Sequence, residues 1–244
     1  MTVDGLDVSG KIAVITGAGS GVGRATAVAL ASCGAVVGLI GRRSEPLRDT
    51  ASAIEVAGGR AIVAPADVAI EREIDAAIKA VADGAGGIDV LVCAAGVGLY
   101  GPVEQYSLTD WQMTLATNLT GVFLSCRAVL PFMTARGQGA IIAIGSGAGK
   151  QGYANLAAYS ASKFGLIGFM QSLAAEVGER RIKVSTVLPG SILTDFAGRP
   201  VQEKEQQRAE GRTYLEPDDV AQAILFLLSQ PDRAWTQELN LWPA

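Results

Sequence analysis

Histidine is absent from the 244 residues of the chain. That absence excludes serine–histidine and cysteine–histidine nucleophile systems and histidine-ligated metal centres, so acid–base work falls to tyrosine, lysine, carboxylates or thiols. Cysteine is scarce too. Cys33, Cys93 and Cys126 are odd in number, widely spaced and without a CxxC pair, which argues against a disulfide framework or a metal site. They read as small apolar residues in a reducing cytoplasm. Charged residues make up only 18% of the chain, and the net charge of -4 offers no basic field for nucleic acid or an anionic membrane. No apolar run reaches the length of about 18 residues that a membrane-spanning helix needs. The opening MTVDGLDVSGKIAVITG has no basic segment leading into an apolar core and a small-residue cleavage site, so the expectation is a soluble, cytoplasmic protein.

What is present is apolar residue, 49% of the chain, enough for one sizeable core and for a single domain over 1–244. Short Val/Ile/Ala runs alternate with stretches of helical period, which predicts βαβ units and an α/β fold on a parallel sheet. Candidate strands are 11–16, 35–40, 61–64, 88–93, 140–144, 183–188 and a short one near Leu239. Several are almost wholly apolar, as strands covered on both faces must be. Ile70, Ile74, Ile78 and Val81 repeat at helical spacing, with Glu71, Asp75 and Lys79 on the wet side. Leu47, Ala51 and Ile54 do the same behind Ser44, a candidate N-cap. The polar stretch 196–214 breaks the pattern and reads equally as a mobile flap over substrate or as an exposed helix.

The first chemical signal is TGAGSGVGRA, with glycines at 17, 19, 21 and 23. A glycine-rich turn between strand and helix lets backbone amides approach a phosphate at a helix N-terminus. The register is Gly17-x-x-x-Gly21-x-Gly23, since Val22 occupies the third glycine of the commoner G-x-G-x-x-G pattern. A tight turn that only packs a helix closely uses the same residues. About 20 residues on, a nucleotide-binding fold reads the adenosine ribose. There IGRRSEP has no acid for a free 2'-hydroxyl, whereas the guanidiniums of Arg42 and Arg43 suit a 2'-phosphate, favouring NADP over NAD. Asp67, in APADV, ends the third strand, where its carboxylate is placed to accept from an adenine amino group.

The stretch AYSASKFG supplies the acid–base candidates. In a helix Tyr159 and Lys163 lie on one face, about 6 Å apart along the axis. A phenol with a pKa near 10 is a poor proton shuttle at neutral pH. An ammonium about 5 Å away, at an effective dielectric of about 20, favours the phenolate by on the order of 3 kcal/mol, roughly 2 pKa units. Y-x-x-x-K alone is common, and its company decides. Ser146 follows the strand AIIAI at the carboxyl edge where α/β sheets bind ligands, and the strand ends at Thr16, Cys93 and Leu188 open onto the same edge.

Taken together, TGAGSGVG, the ADV turn, an AAG turn after the fourth strand, Asn118 in WQMTLATNLTG, Ser146, YSASK and PGSILTDF make the chain resemble the short-chain dehydrogenase/reductase family over essentially its whole length. Within it, PGSILTDF and the length are similar to 3-oxoacyl-carrier-protein reductases. The resemblance implies a Rossmann-like doubly wound parallel sheet of about seven strands. It implies a catalytic group in which Tyr159 exchanges a proton with substrate oxygen, Lys163 lowers its pKa and holds the nicotinamide ribose, Ser146 hydrogen-bonds the reacting oxygen, and Asn118 holds a water linking Lys163 to solvent. Cofactor contacts are implied at Gly17, Ser20, Gly21, Val22 and Gly23, at Arg42 and Arg43, at Asp67 and Val68, and at Ala94, Ala95 and Gly96. Pro189, Gly190, Ile192 and Thr194 would surround the carboxamide. The implied protein is a homotetramer or dimer that interconverts a small carbonyl and an alcohol with NADP, NAD being possible; the alternatives are an NAD-dependent alcohol dehydrogenase or a non-catalytic dinucleotide-binding scaffold. Two departures stand out: Cys93-Ala94-Ala95-Gly96 replaces the family's Asn-Asn-Ala-Gly, removing a hydrogen bond expected to brace the sheet, and ELNLWPA replaces an Asp-Gly-Gly segment. Substrate contacts are expected from 97–106, 147–158 and 191–214.

Overall fold

The computed structural model of the chain describes residues 8–198 and 200–244; residues 1–7 of the expected domain, and Arg199 of the polar segment, lie outside the described residues. Seven parallel strands, β1 (Ile12–Thr16), β2 (Val36–Gly41), β3 (Arg60–Pro65), β4 (Val90–Cys93), β5 (Gly139–Ile144), β6 (Ile182–Pro189) and β7 (Glu238–Leu241), form one sheet in the order β3-β2-β1-β4-β5-β6-β7. This is the Rossmann-like doubly wound sheet expected above. The helices are α1 (Gly21–Ser32), α2 (Ser44–Val56), α3 (Glu71–Ala85), α4 (Leu108–Leu115), α5 (Gly121–Arg136), α6 (Ala157–Val177), α7 (Val201–Ala209) and α8 (Pro217–Ser229).

The period of two along each strand divides the core between two faces. In β1, Ile12 and Val14 join a cluster with Ile74 and Ile78 of α3, Val122 of α5 and Leu166 of α6. Ala13 and Ile15 point the other way, to Leu30 of α1, Leu47 of α2 and Ile224 of α8. Parallel strands need long crossovers, and these helices supply them, so both faces are covered and the strands read apolar throughout. Strand order reverses between β1 and β4, which leaves a crevice at their carboxyl ends.

Three local expectations change. Ile70 is not on the buried stripe of α3: Asp67 Oδ1 accepts from Ala69 N–H at 2.9 Å and turns the chain, Ile70 becomes the N-cap, and it is 44% exposed. Ser44 is the first residue of α2 and makes no capping bond, because Arg43 keeps the extended backbone of an N-cap (φ -100°, ψ 118°). The 196–214 stretch forms a short 3-10 turn, Phe196–Gly198, and then α7, none of whose residues is buried. The helix accounts for 201–209 of the stretch. Lys204 anchors it, donating to Thr194 O at 2.6 Å and Ile192 O at 3.2 Å.

A turn of π-helix, Ala116–Thr120, joins α4 to α5. By length and composition the continuous Leu108–Arg136 stretch is apolar enough to cross a membrane, yet half of its most apolar window is buried inside the protein, as in a core helix.

Candidate active site

The crevice has two halves. On the first, a cleft of about 230 Å³ is lined by Gly17, Ser20, Arg42, Arg43, Asp67, Val68, Ala95 and Gly96 from the expected set, together with Gly19, Gly41, Pro46, Leu47, Ala66, Val97 and Thr117. Gly17 has φ +70°, and a methyl group there would lie 2.7 Å from Ala95 N. A methyl on Gly23 would overlap the Gly17 carbonyl oxygen. The two glycines therefore let α1 begin directly beneath the turn, with its N-terminus facing the cleft. Ala95 N–H donates to Thr16 Oγ1 at 3.2 Å, so a hydroxyl from β1 braces the end of β4 where Cys93 and Ala94 bring no amide side chain. Asp67 spends one carboxylate oxygen on its own turn, while its N–H donates to Glu73 Oε2 at 2.9 Å. Arg42 and Arg43 are exposed at the cleft mouth and pair with no carboxylate among the described residues.

Other expected cofactor residues stand beside the cleft rather than lining it. Val22 and Ala94 pack as partly buried residues on the α1–α2–α8 core. Pro189 ends β6; Gly190 N–H donates to Leu241 O at 2.8 Å, and Ile192 bridges to Leu215. Thr194 reaches back to the first turn, where a methyl on Gly21 would meet its Cγ2 at 3.3 Å.

The second half is built of side chains. Tyr159 and Lys163 occupy the first two turns of α6, and Lys163, 5% exposed, donates from Nζ to Ile144 O of β5 at 2.7 Å. Its Nζ lies 5.6 Å from the centre of the Tyr159 ring. Beyond Ile144 and Gly145, Ser146 opens a 3-10 turn (Gly147–Gly149); its Oγ accepts from Ala148 N–H at 3.1 Å, and its hydroxyl is near enough to the Tyr159 phenol to lower its pKa. Asn118 is fully buried in the π turn. Its Oδ1 accepts from Val97 N–H at 2.8 Å, and its Nδ2 donates to Val97 O at 2.8 Å and Ser162 Oγ at 3.1 Å. Both of its amide hydrogens are thus used on the loop after β4 and on α6, leaving none of them for the expected water.

The titration behaviour departs from the simple lysine–phenol argument. Burial pushes the Tyr159 phenol up to about 12; the Ser146 hydroxyl pulls it down, and the nearby Tyr100 phenol adds to the rise. Burial likewise pushes Lys163 down to about 8, opposed by Cys93. The net shift of the tyrosine is therefore upward, with burial as its largest cause. The reason is desolvation: removing water from both groups disfavours phenolate and ammonium alike, and it is the largest cause at each.

Two contributors escaped sequence reading. Ser162 donates to Tyr159 O at 2.7 Å and ties Asn118 to α6, which no local spacing indicates. The Phe196 ring packs on Tyr159 with centres 5.7 Å apart at 60°, and its only sequence signal is membership of the 191–214 segment. The loops 97–106 and 151–156 meet through Gly101 N–H donating to Asn155 O at 3.0 Å.

The family model described as short chain dehydrogenase matches residues 11–205. The chain is 39% identical over 229 residues to a 3-oxoacyl-[acyl-carrier-protein] reductase of Synechocystis sp., covering 93% of each chain. It is 34% identical over 239 residues to a glycine betaine reductase of Emericella nidulans, covering 97% of this chain and 19% of that much longer protein. Among solved structures it is similar to a metagenomic short-chain oxidoreductase in complex with NADP, with TM-score 0.84, 37% identity, and 97% and 98% of the two chains covered.

Proposed function

The chain belongs to the short chain dehydrogenase family, and from that premise we propose that it is an NADP(H)-dependent oxidoreductase interconverting a carbonyl and a secondary alcohol, with Tyr159 as acid and base. One observation carries the reading. Ser146, Tyr159 and Lys163 converge at the same sheet edge as a glycine-floored cleft whose mouth holds two unpaired guanidiniums.

The residues fit a dinucleotide. Gly17 and Gly23 keep the cleft floor free of side-chain atoms, the N-terminus of α1 favours a pyrophosphate, and Arg42 and Arg43 match a 2'-phosphate. That NADP is present in the metagenomic structural neighbour supports the same choice. Asp67 has a carboxylate oxygen left for the adenine, and Pro189, Gly190, Ile192 and Thr194 bound the nicotinamide side. When bound, the dinucleotide supplies or accepts the hydride of the reaction.

The protein's own groups handle the proton. In reduction, the phenol of Tyr159 gives its proton to the substrate oxygen as negative charge develops there, and in oxidation the phenolate takes it back. The Ser146 hydroxyl, near the phenol, is placed to donate to the same substrate oxygen. Lys163 stabilises the phenolate left behind. With the phenol at about 12, Tyr159 is a fully protonated donor at neutral pH, and with Lys163 at about 8 the ammonium persists there. Reduction should therefore fall as pH rises through about 8.

Substrate recognition rests on the loops around Tyr159. The Phe196 ring packs on Tyr159 and the Tyr100 phenol lies near it, which favours a partly apolar carbonyl. Phe123 on α5 and Phe164 on α6 are 42% and 48% exposed, large apolar rings that suit packing against a second copy in a dimer or tetramer. Light scattering at working concentration tests that assembly.

The main test is a panel of ketones and secondary alcohols assayed with NADP(H) and NAD(H) in parallel, on the wild type and on Tyr159→Phe. Turnover with NADP(H) preferred, reduced about 10³-fold by Tyr159→Phe with cofactor affinity kept, is the expected result. Turnover that survives the substitution overturns the assignment.

A further inference from the structure

Trp242 is 57% exposed, so its large ring is not explained by burial in the core. Its position is fixed by the sheet. Pro189 of β6 is in register with Leu241 of β7, and Gly190 N–H donates to Leu241 O at 2.8 Å, which delivers the next residue to the end of β6. There the six-membered ring of the indole presses on two glycines at once. A methyl group on Gly147 would lie 2.7 Å from Trp242 Cη2, and one on Gly190 would lie 3.0 Å from Trp242 Cε3 and 2.9 Å from Pro243 Cδ. Neither position has room for a side chain while the indole stays.

Gly147 directly follows Ser146, and the turn it begins is gripped from the opposite side as well. A methyl on Gly149 would lie 2.8 Å from the carbonyl oxygen of Lys163. The Gly147–Gly149 turn is therefore a thin backbone layer held between the Lys163 turn of α6 and the face of Trp242. A second tie crosses the same seam, Lys150 Nζ to Glu238 Oε2 at 2.6 Å. Ser146 itself has extended backbone, its Oγ accepts from Ala148 N–H and its carbonyl from Gly149 N–H at 2.9 Å, so the serine moves with this turn.

We infer that Trp242 is a positioning residue, a wedge that presses the Ser146 turn onto α6 and sets its spacing from the Pro189–Gly190 loop. Its catalytic meaning rests on the function proposed above; its mechanical meaning does not. Loss of the ring lets the serine hydroxyl drift from the phenol and the reacting oxygen, and small misplacements at a reacting centre cost large factors in rate. A phenyl ring at 242 keeps much of the wedge.

The test uses the full chain as Trp242→Ala, Trp242→Phe and Ser146→Ala with Trp242→Ala. Hydrogen exchange is followed by mass spectrometry over 145–151 and 187–193, and steady-state kinetics are measured with the best ketone of the panel. In Trp242→Ala, exchange over 145–151 should quicken by about 10-fold and kcat fall by about 10-fold with KM within about threefold. Trp242→Phe should restore most of both, and the kcat loss should vanish when Ser146 is already alanine. Unchanged exchange in Trp242→Ala overturns the wedge, and so does faster exchange with unchanged kcat, or a loss fully additive with that of Ser146→Ala. If Tyr159→Phe leaves turnover intact, the proposed chemistry falls, and the exchange arm still decides whether Trp242 holds the turn.

Discussion

The two halves of the crevice are made differently. The glycine side is a backbone surface: Gly17 to Gly23 are consecutive in sequence, and their contribution is the absence of Cβ atoms and the direction of amides at the start of α1. The tyrosine side is a side-chain assembly, with Asn118, Ser146, Tyr159, Lys163 and Phe196 drawn from four separated segments. A backbone surface is solvated, tolerates charge and is already shaped for an anion. A buried side-chain cluster perturbs its own members, which is why Tyr159 rises to about 12 and Lys163 falls to about 8. Binding and chemistry are therefore separable here, and substitutions should move one without the other.

The largest expected effect is on the tyrosine side. Lys163→Met should lower turnover by about 10³-fold, beside Tyr159→Phe, with cofactor affinity reduced far less. The same variant tests the desolvation argument through stability. Buried Lys163 titrates at about 8 against 10.5 when unfolded, so the unfolded chain binds the extra proton between those values. Stability should then rise with pH across that window, its penalty fully present below about 8, by on the order of 3 kcal/mol in all. Denaturant unfolding at pH 7.5 and 9.5 reads the slope. If Lys163→Met retains that rise, the assignment of the titration is wrong.

On the glycine side, Gly23→Ala drives a methyl into the Gly17 carbonyl, and the turn must deform. Cofactor affinity, read by fluorescence titration with NADPH, should drop by about 100-fold while the pKa values reported by the rate profile stay put. Arg42→Asp is a smaller change of the same kind: the preference for NADP over NAD should narrow by about 10-fold or reverse, with kcat on the better cofactor nearly unchanged. An unaltered preference removes Arg42 from 2'-phosphate recognition. Thr16→Val, which deletes the acceptor of Ala95 N–H, is expected to cost about 1 kcal/mol in stability and little in either function. A large catalytic effect there would mean that the two halves are coupled through β1 and β4.

The alternation of apolar runs with helical periods was enough to place all seven strands within a few residues, because a parallel sheet covered on both faces demands β-branched apolar runs and long crossovers. The glycine turn, both arginines and the Tyr159–Lys163 spacing were legible for a related reason: each depends on neighbours fewer than seven positions apart. Local chemistry determines them. What remained hidden was set by approach across the fold. The Thr16 brace spans 79 residues and the Asn118–Ser162 contact 44. The sign of the tyrosine shift was likewise decided by tertiary structure, since spacing along a helix fixes how near an ammonium lies but not how much water reaches it. The same holds for Trp242, whose place against Gly147 and Gly190 exists only once β7 lies beside β6. The sequence by itself determined which groups were available and their local geometry. Burial, which depends on every segment packed around a group, decided how those groups ionise and which of them touch.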